Sequence, residues 1–247
     1  MIRLILIGLF LFLYLIVFSP ALLVEWIIGK INPTARSKSS LWLVQHAFGL
    51  ILFLAGTKIE VRGREHIPED KPVLYVGNHR SYFDIVIGYR LIKGECGFVA
   101  KKEMEKILFL RRWMKNLHCL FLDRSNIKEG LKTILTGIDY VKNGISIWIF
   151  PEGTRNKGKG MLDFKEGSMK IAEKTGCPII PVAFTGTAEI FESHIPWVKR
   201  SHVTVTFGEP IDIKALDKEQ KKFLGSYTRQ KILDMLPEDM KGSGETV

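Results

Sequence analysis

The apolar residues of this chain come first as one long block and then as short bursts. From Leu4 to Val24 no residue is charged, and the apolar character continues to Ile28. About 20 such residues are what a helix needs to cross roughly 30 Å of hydrocarbon, so the block predicts a membrane helix. Pro20 permits a kink within it. A second apolar run, Leu41 to Gly56, is shorter and carries Gln45 and His46 near its centre, which predicts a partial or surface-lying helix. A removable signal peptide is the competing reading of the first run, given Arg3 and the small residues Ser19 and Ala21. Pro20 and the continuation through Ile28 argue against it.

After Gly56 short β-branched and aromatic runs alternate with longer amphipathic stretches, the mark of an α/β layer fold. Strands are predicted at Lys58 to Val61, Val73 to Val76, Gly97 to Ala100, Cys119 to Leu122, Ile145 to Phe150, Ile179 to Phe184 and His202 to Phe207. They imply a mixed, mostly parallel sheet of about seven strands flanked by helices. The clearest helix runs from Ile127 to Lys142. Ile127, Leu131, Ile134, Leu135, Ile138 and Val141 recur on one face, and Asn143-Gly144 ends it. At 247 residues one core is the expectation. Residues 1–56 then form a two-helix membrane anchor and 57–247 an α/β catalytic domain. Lys157-Gly158-Lys159-Gly160 reads as a flexible basic loop and Glu238 to Val247 as a frayed tail.

Charge narrows the partners. Lys and Arg number 36 against 26 Asp and Glu, a net +10 that points to an anion: nucleic acid, anionic lipid or a phosphorylated substrate. The N-terminal concentration of apolar residues favours lipid. The cations are scattered, without an RNA-recognition string or zinc-finger spacing, which argues against nucleic acid. Every flank of the apolar runs is basic: Arg3 before the first, Lys30, Arg36 and Lys38 between them, Arg62, Arg64 and Lys71 after. Basic flanks resist translocation, so the expectation is a monotopic hairpin that dips into one leaflet and returns. The catalytic domain then faces the cytoplasm at the cytoplasmic (inner) membrane. Cys96, Cys119 and Cys177 are far apart and lack CxxC or Cys/His ligand spacing, so neither a disulfide framework nor a metal site is expected.

Two strings carry chemistry. Asn78-His79-Arg80-Ser81-Tyr82-Phe83-Asp84 follows a predicted strand and precedes a helix-like run, Ile85 to Leu91, where α/β sheets place ligands. His79 suits general-base work near neutral pH, and Asp84 could fix its tautomer. Ser81 is a good N-cap, and Ser81-x-x-Asp84 equally resembles a capping box. Asp84 serves both roles only if it uses different oxygens. The second string, Phe150-Pro151-Glu152-Gly153-Thr154-Arg155, ends a strand in a turn that exposes Glu152, Thr154 and Arg155. Arg is suited to bidentate phosphate contact, and Gly153 lets a backbone amide approach an anion.

His79-x4-Asp84, Phe121-Leu122-Asp123-Arg124, Phe150 to Arg155 and Ile180-Pro181-Val182-Ala183 resemble, in order and spacing, the four motifs of the glycerolipid acyltransferase superfamily. The bacterial 1-acylglycerol-3-phosphate acyltransferases are the most similar branch. Phe164-Lys165-Glu166-Gly167 also resembles the segment that follows the third motif there. The resemblance implies that His79 is the general base and Asp84 its partner. It implies that Arg124, Glu152, Gly153, Thr154 and Arg155 bind the glycerophosphate, with Lys101 as a further phosphate contact. Pro181 falls in the motif associated with the acyl donor or with packing of the site. The implied reaction moves an acyl group from acyl-CoA or acyl-carrier protein to the sn-2 hydroxyl of lysophosphatidic acid, giving phosphatidic acid by direct transfer. No cofactor or metal is expected, because the thioester is already activated. Glycerol 3-phosphate or another lysophospholipid as acceptor, a covalent route through Ser81 or a cysteine, and a non-catalytic anionic-lipid adaptor are the alternatives.

Overall fold

The computed structural model describes residues 2–158 and 160–242. The helices are α1 (Ile2–Val17), α2 (Ser19–Ile31), α3 (Pro33–Ala55), α4 (Phe83–Leu91), α5 (Leu108–Asn116), α6 (Ile127–Lys142), α7 (Lys170–Thr175), α8 (Lys218–Lys222) and α9 (Leu224–Met235). The strands are β1 (Lys58–Arg62), β2 (Leu74–Gly77), β3 (Cys96–Lys101), β4 (Leu120–Leu122), β5 (Ser146–Ile149), β6 (Ile179–Thr185) and β7 (His202–Phe207). All seven lie in one sheet of order β1-β7-β6-β2-β5-β3-β4. Strands β6, β2, β5, β3 and β4 are mutually parallel, β7 is antiparallel to β6, and β1 is parallel to β7. The fold is the expected α/β sheet. Central strand β2 is buried along its whole length and β6 through Phe184, as a sheet covered on both faces requires.

One apolar core packs the sheet against α3, α4 and α5, and a second fills the opposite face under α6, α7 and α9. Helix α6 has the expected bounds, but only part of its apolar stripe is inward. Ile138 and Val141 are buried, whereas Ile127 is 90 %, Leu131 58 % and Leu135 51 % exposed. Strand β4 is the sheet edge and only three residues long, so the first turns of α6 overhang it.

The first apolar run is broken. Helices α1 and α2 meet at 48° at Phe18, two residues before Pro20, which sits in the first turn of α2. The second run is no partial helix. It is the last two thirds of α3, a helix of 23 residues that begins at Pro33, with Asn32 as N-cap accepting from Ala35 N–H. By length and composition α3, and α1 with α2 taken together, could each cross a membrane. The polar residues of α3 have protein partners instead of lipid. Gln45 Nε2 donates to the carbonyls of Tyr89 and Ile92 at the end of α4, and Ser37 Oγ donates to Glu95. Helix α3 is thereby fastened to the α/β body as well as to α1 and α2.

Candidate active site

Because β2, β3, β4 and β5 are parallel, the residues that follow them emerge at one end of the sheet. Asn78 begins the site. Buried, it donates through Nδ2 to the Phe184 carbonyl at 3.0 Å and accepts from Phe184 N–H at 2.7 Å, clamping the end of β2 to β6. His79 then lies in the turn before α4, and its Nδ1 is 2.8 Å from Asp84 Oδ2. Arg80 N–H and Ser81 N–H donate to the same oxygen at 2.7 and 2.8 Å. The expectation that capping and orientation need separate oxygens is overturned. The turn wraps around one oxygen, while Oδ1 has no hydrogen-bond partner among the described residues. Ser81 is not the N-cap residue of α4, which is Tyr82. It caps the turn by accepting from Phe83 N–H at 3.0 Å, and its hydroxyl donates to Glu192 Oε2 at 2.6 Å.

A carboxylate on Nδ1 fixes the proton there and leaves Nε2 as the acceptor. Asp84 is fully buried and the His79 side chain 14 % exposed, so little of the ring reaches the surface. The ring also stacks on Phe150 at 4.2 Å with planes 16° apart. Phe150 belongs to an aromatic cluster with Phe98, Trp148 and Phe184. Imidazole orientation is therefore set both by hydrogen bonding and by packing.

The expected exposure of Glu152 is overturned. It is 5 % exposed. Its Oε1 accepts from His79 N–H at 2.6 Å and its Oε2 from Leu162 N–H at 3.0 Å. Asn156 N–H donates to the His79 carbonyl at 2.7 Å, so the second string grips the backbone of the first on both sides of the histidine. Burial pushes the Glu152 carboxyl up to about 7, the two N–H groups opposing and the Asp84 charge adding to the rise. Between its ordinary value of 4.5 and about 7 the folded state holds a proton that the unfolded state releases. Stability therefore falls as pH rises through that window, by about 3 kcal/mol in all. Urea unfolding in neutral micelles should show this slope. Glu152→Gln should flatten it, at a cost in stability, because Gln has one acceptor oxygen for two N–H donors. An unchanged slope in the variant would assign the titration to another group.

Cations gather beside this pair. Gly153 has φ +77°, a backbone region that suits glycine. A Cβ there would lie 3.1 Å from Lys165 Nζ and 3.6 Å from Arg124 Nη1, so both cations converge on the turn. Asp123, next to Arg124, is taken instead by Lys102 at 2.9 Å. Lys102 and the hydrogen bonds from Ser125 hold Asp123 well below the usual carboxylate range. Partial burial draws the Arg124 guanidinium below its ordinary value, with Glu103 opposing. Lys101 ends β3 opposite Leu122 and is exposed, as is Thr154. Arg155 is held: its guanidinium stacks 3.6 Å over the Tyr82 ring and donates to Glu192 Oε1 at 3.2 Å. Pro181 stands apart. It lies within β6 opposite Val76, three residues before the Phe184 clamp, against Gly208.

Four residues join the site without having been singled out in the sequence: Lys165, Glu192, Arg80 and Asn156. Lys165 had a visible signal in its place after the second string. Glu192 had none, although it ties Ser81, the Tyr82 amide and Arg155 together. Arg80 donates to the carbonyls of Gly158 and Gly160 at 2.9 and 3.1 Å, and Asn156 Nδ2 donates to Gly160 O at 2.8 Å. The basic loop expected to be flexible is thus pinned at its described residues. Lys159 lies outside them, as do residues 243–247 of the tail, whose earlier part forms a short turn of helix at Glu238–Met240.

The acyltransferase family profile matches residues 58–185, which contain His79, Asp84, Arg124 and the turn at Gly153. The chain is similar to the 1-acyl-sn-glycerol-3-phosphate acyltransferase of Borreliella burgdorferi, 35% identical over 187 residues, 75% of this chain and 74% of the relative. It is 30% identical to the enzyme of that description from Saccharomyces cerevisiae over 218 residues, 86% of this chain and 72% of the relative. In fold it is similar to the crystal structure of the 1-acyl-sn-glycerophosphate (LPA) acyltransferase PlsC from Thermotoga maritima. The TM-score is 0.76 at 25% identity, covering 95% of this chain and 96% of that one.

Proposed function

The chain belongs to the acyltransferase family, and from that premise we propose that it transfers a fatty acyl group from a thioester to the sn-2 hydroxyl of 1-acylglycerol 3-phosphate. The observation that carries this reading is the hydrogen-bonded His79–Asp84 pair beside two cations, Arg124 and Lys165, that converge on Gly153. His79 Nε2 takes the hydroxyl proton as the oxygen attacks the thioester carbonyl. The C–S bond then breaks, and the imidazolium returns the proton to the leaving thiolate. Asp84 stabilises the imidazolium in between. No covalent intermediate is needed, and Ser81 is an unsuitable nucleophile because its hydroxyl is committed to Glu192.

Arg124, Lys165 and Lys101 supply the phosphate contacts, the Gly153 turn supplies backbone, and Thr154 lies open beside it. Arg155 is pre-oriented by Tyr82 and Glu192. Glu152 is a positioning residue, since its carboxylate faces two N–H groups and not the cations. Pro181 packs the sheet. The donor is acyl-CoA or acyl-carrier protein, and the cationic surface suits either. Residues 1–56 act as the membrane anchor and 57–247 as the catalytic domain, which faces the cytoplasm with a monotopic hairpin in one leaflet of the cytoplasmic membrane. Acceptor and product both carry acyl chains, so a site held at the interface avoids moving them through water, at about 0.8 kcal/mol per CH₂.

Thiol release in mixed micelles tests the reading. Release should depend on lysophosphatidic acid and not on glycerol 3-phosphate or a phosphate-free monoacylglycerol. Arg124→Ala should raise KM for lysophosphatidic acid about 10- to 100-fold, the worth of one charge-assisted hydrogen bond, with kcat nearly unchanged. Equal use of the phosphate-free acceptor by the wild type would overturn the phosphate assignment.

A further inference from the structure

A cationic cavity of about 380 Å³ lies where the N-terminal helices meet the catalytic body. Its walls are Leu22 and Trp26 of α2, Arg36 of α3, and Arg111, Arg112 and Lys115 of α5. Helix α5 leads to the amino end of β4, whereas His79 and Arg124 sit at the carboxyl ends of the strands. The cavity is therefore not part of the candidate active site. Asn116 Nδ2, donating to Ser40 Oγ at 3.1 Å, fixes α5 to α3 beside it.

Four cations share this cavity, and among the described residues that line it none is a carboxylate. Lys115 pairs with Glu105 at 2.9 Å, and Glu105 also faces Arg111. Arg36 is fitted in deliberately close quarters: a Cβ on Gly29 would stand 2.6 Å from its Cδ, so glycine makes the room. The Arg36 Nε is buried with no hydrogen-bond partner among the described residues. Glu105 answers Lys115 and Arg111, whereas Arg36 and Arg112 enter no ion pair among the described residues. Two such guanidinium groups with an unmet donor call for an anion, and guanidinium groups match phosphate best. The volume suits a small headgroup.

The surroundings identify the source of the anion. On α2 the outward residues Leu23, Val24 and Ile27 are all exposed. Trp26 is 53 % exposed, with Lys30 Nζ 5.4 Å from its ring. Apolar side chains bordered by Trp and Lys mark the level of lipid headgroups. We infer that this cavity binds the phosphate of an anionic glycerophospholipid of the surrounding leaflet, at a site separate from catalysis. Such binding would clamp α5 to α2 at the interface and so fix the tilt of the catalytic body on the membrane. It rests on the membrane reading of the N-terminal helices and not on acyl transfer.

Vesicle flotation of the full chain tests this. Phosphatidylcholine vesicles measure the anchor alone, and vesicles containing phosphatidylglycerol measure the anchor plus the cavity. Arg111→Gln/Arg112→Gln should weaken binding to the anionic vesicles about thirty-fold, at about 1 kcal/mol per basic residue, and leave neutral binding unchanged. Lys218→Gln/Lys222→Gln on α8 removes the same charge on the opposite face of the sheet and should have little effect. Thiol release in neutral micelles should be the same for both variants. Equal losses in the two variants would overturn the site in favour of a diffuse field, and loss on neutral vesicles would place the arginines in packing. Inorganic phosphate, titrated against chloride at equal ionic strength and followed by tryptophan fluorescence, should give no saturable response. A saturable response abolished by the α5 variant would make free phosphate the ligand and overturn the lipid assignment.

Discussion

Replacing His79 by alanine is expected to lower kcat about 10²- to 10⁴-fold, the usual span for removing a general base, with KM for lysophosphatidic acid little changed. The argument is geometric. The phosphate contacts proposed for Arg124 and Lys165 converge on Gly153 and do not pass through the imidazole, so binding should survive its loss. The fold should survive too. Asp84 would keep the Arg80 and Ser81 N–H groups on the oxygen that now also accepts from His79, so no buried carboxylate is stranded. What disappears from the packing is one stacked pair with Phe150, worth about 0.5–1.5 kcal/mol. Thiol release measured beside thermal unfolding in the same micelles separates the two effects. A variant that keeps most of its kcat would refute the base assignment, and one that loses KM and kcat together would place His79 in substrate binding.

How far the sequence reveals this architecture depends on how local each determinant is. Strands buried on both faces leave continuous β-branched and aromatic runs, and all seven predicted runs are strands within two residues of their observed ends. Pro20 marks the region where the first apolar run breaks. Periodicity finds α6 and its apolar face but cannot show how far the sheet extends beneath it, and Ile127, Leu131 and Leu135 on that face are exposed. Gln45 within an apolar run requires a buried partner that the sequence does not identify, and two carbonyls at the end of α4 receive it. At the site, His79 and Asp84 are five residues apart and their pairing is legible. Glu152 follows a proline turn whose chemistry suggests exposure, and only the return of the chain at Leu162 buries it. Glu192 is 110 residues from the Tyr82 amide that it accepts from, beyond the reach of any local pattern.

The second large effect is expected at Asp84. Because all three donors meet one oxygen, Asp84→Asn can keep the arrangement by placing its amide oxygen there. The imidazole then retains its orientation and its Nδ1 proton, and the change removes chiefly the negative charge. The amide NH₂ would occupy the position of the unpartnered Oδ1, a buried donor with nothing to meet, at a cost of about 1–3 kcal/mol in stability. At the step where His79 carries the extra proton, the loss is larger. Breaking a buried ion pair costs about 3–5 kcal/mol, so kcat should fall about 10²- to 10⁴-fold while KM for lysophosphatidic acid holds. Asp84→Glu should not rescue it, since the longer chain displaces the oxygen from the turn that encloses it. If Asp84 were only a helix cap, Asn, a good capping residue, would leave kcat near the wild-type value. Near-normal turnover in Asp84→Asn would therefore assign the carboxylate to the turn alone.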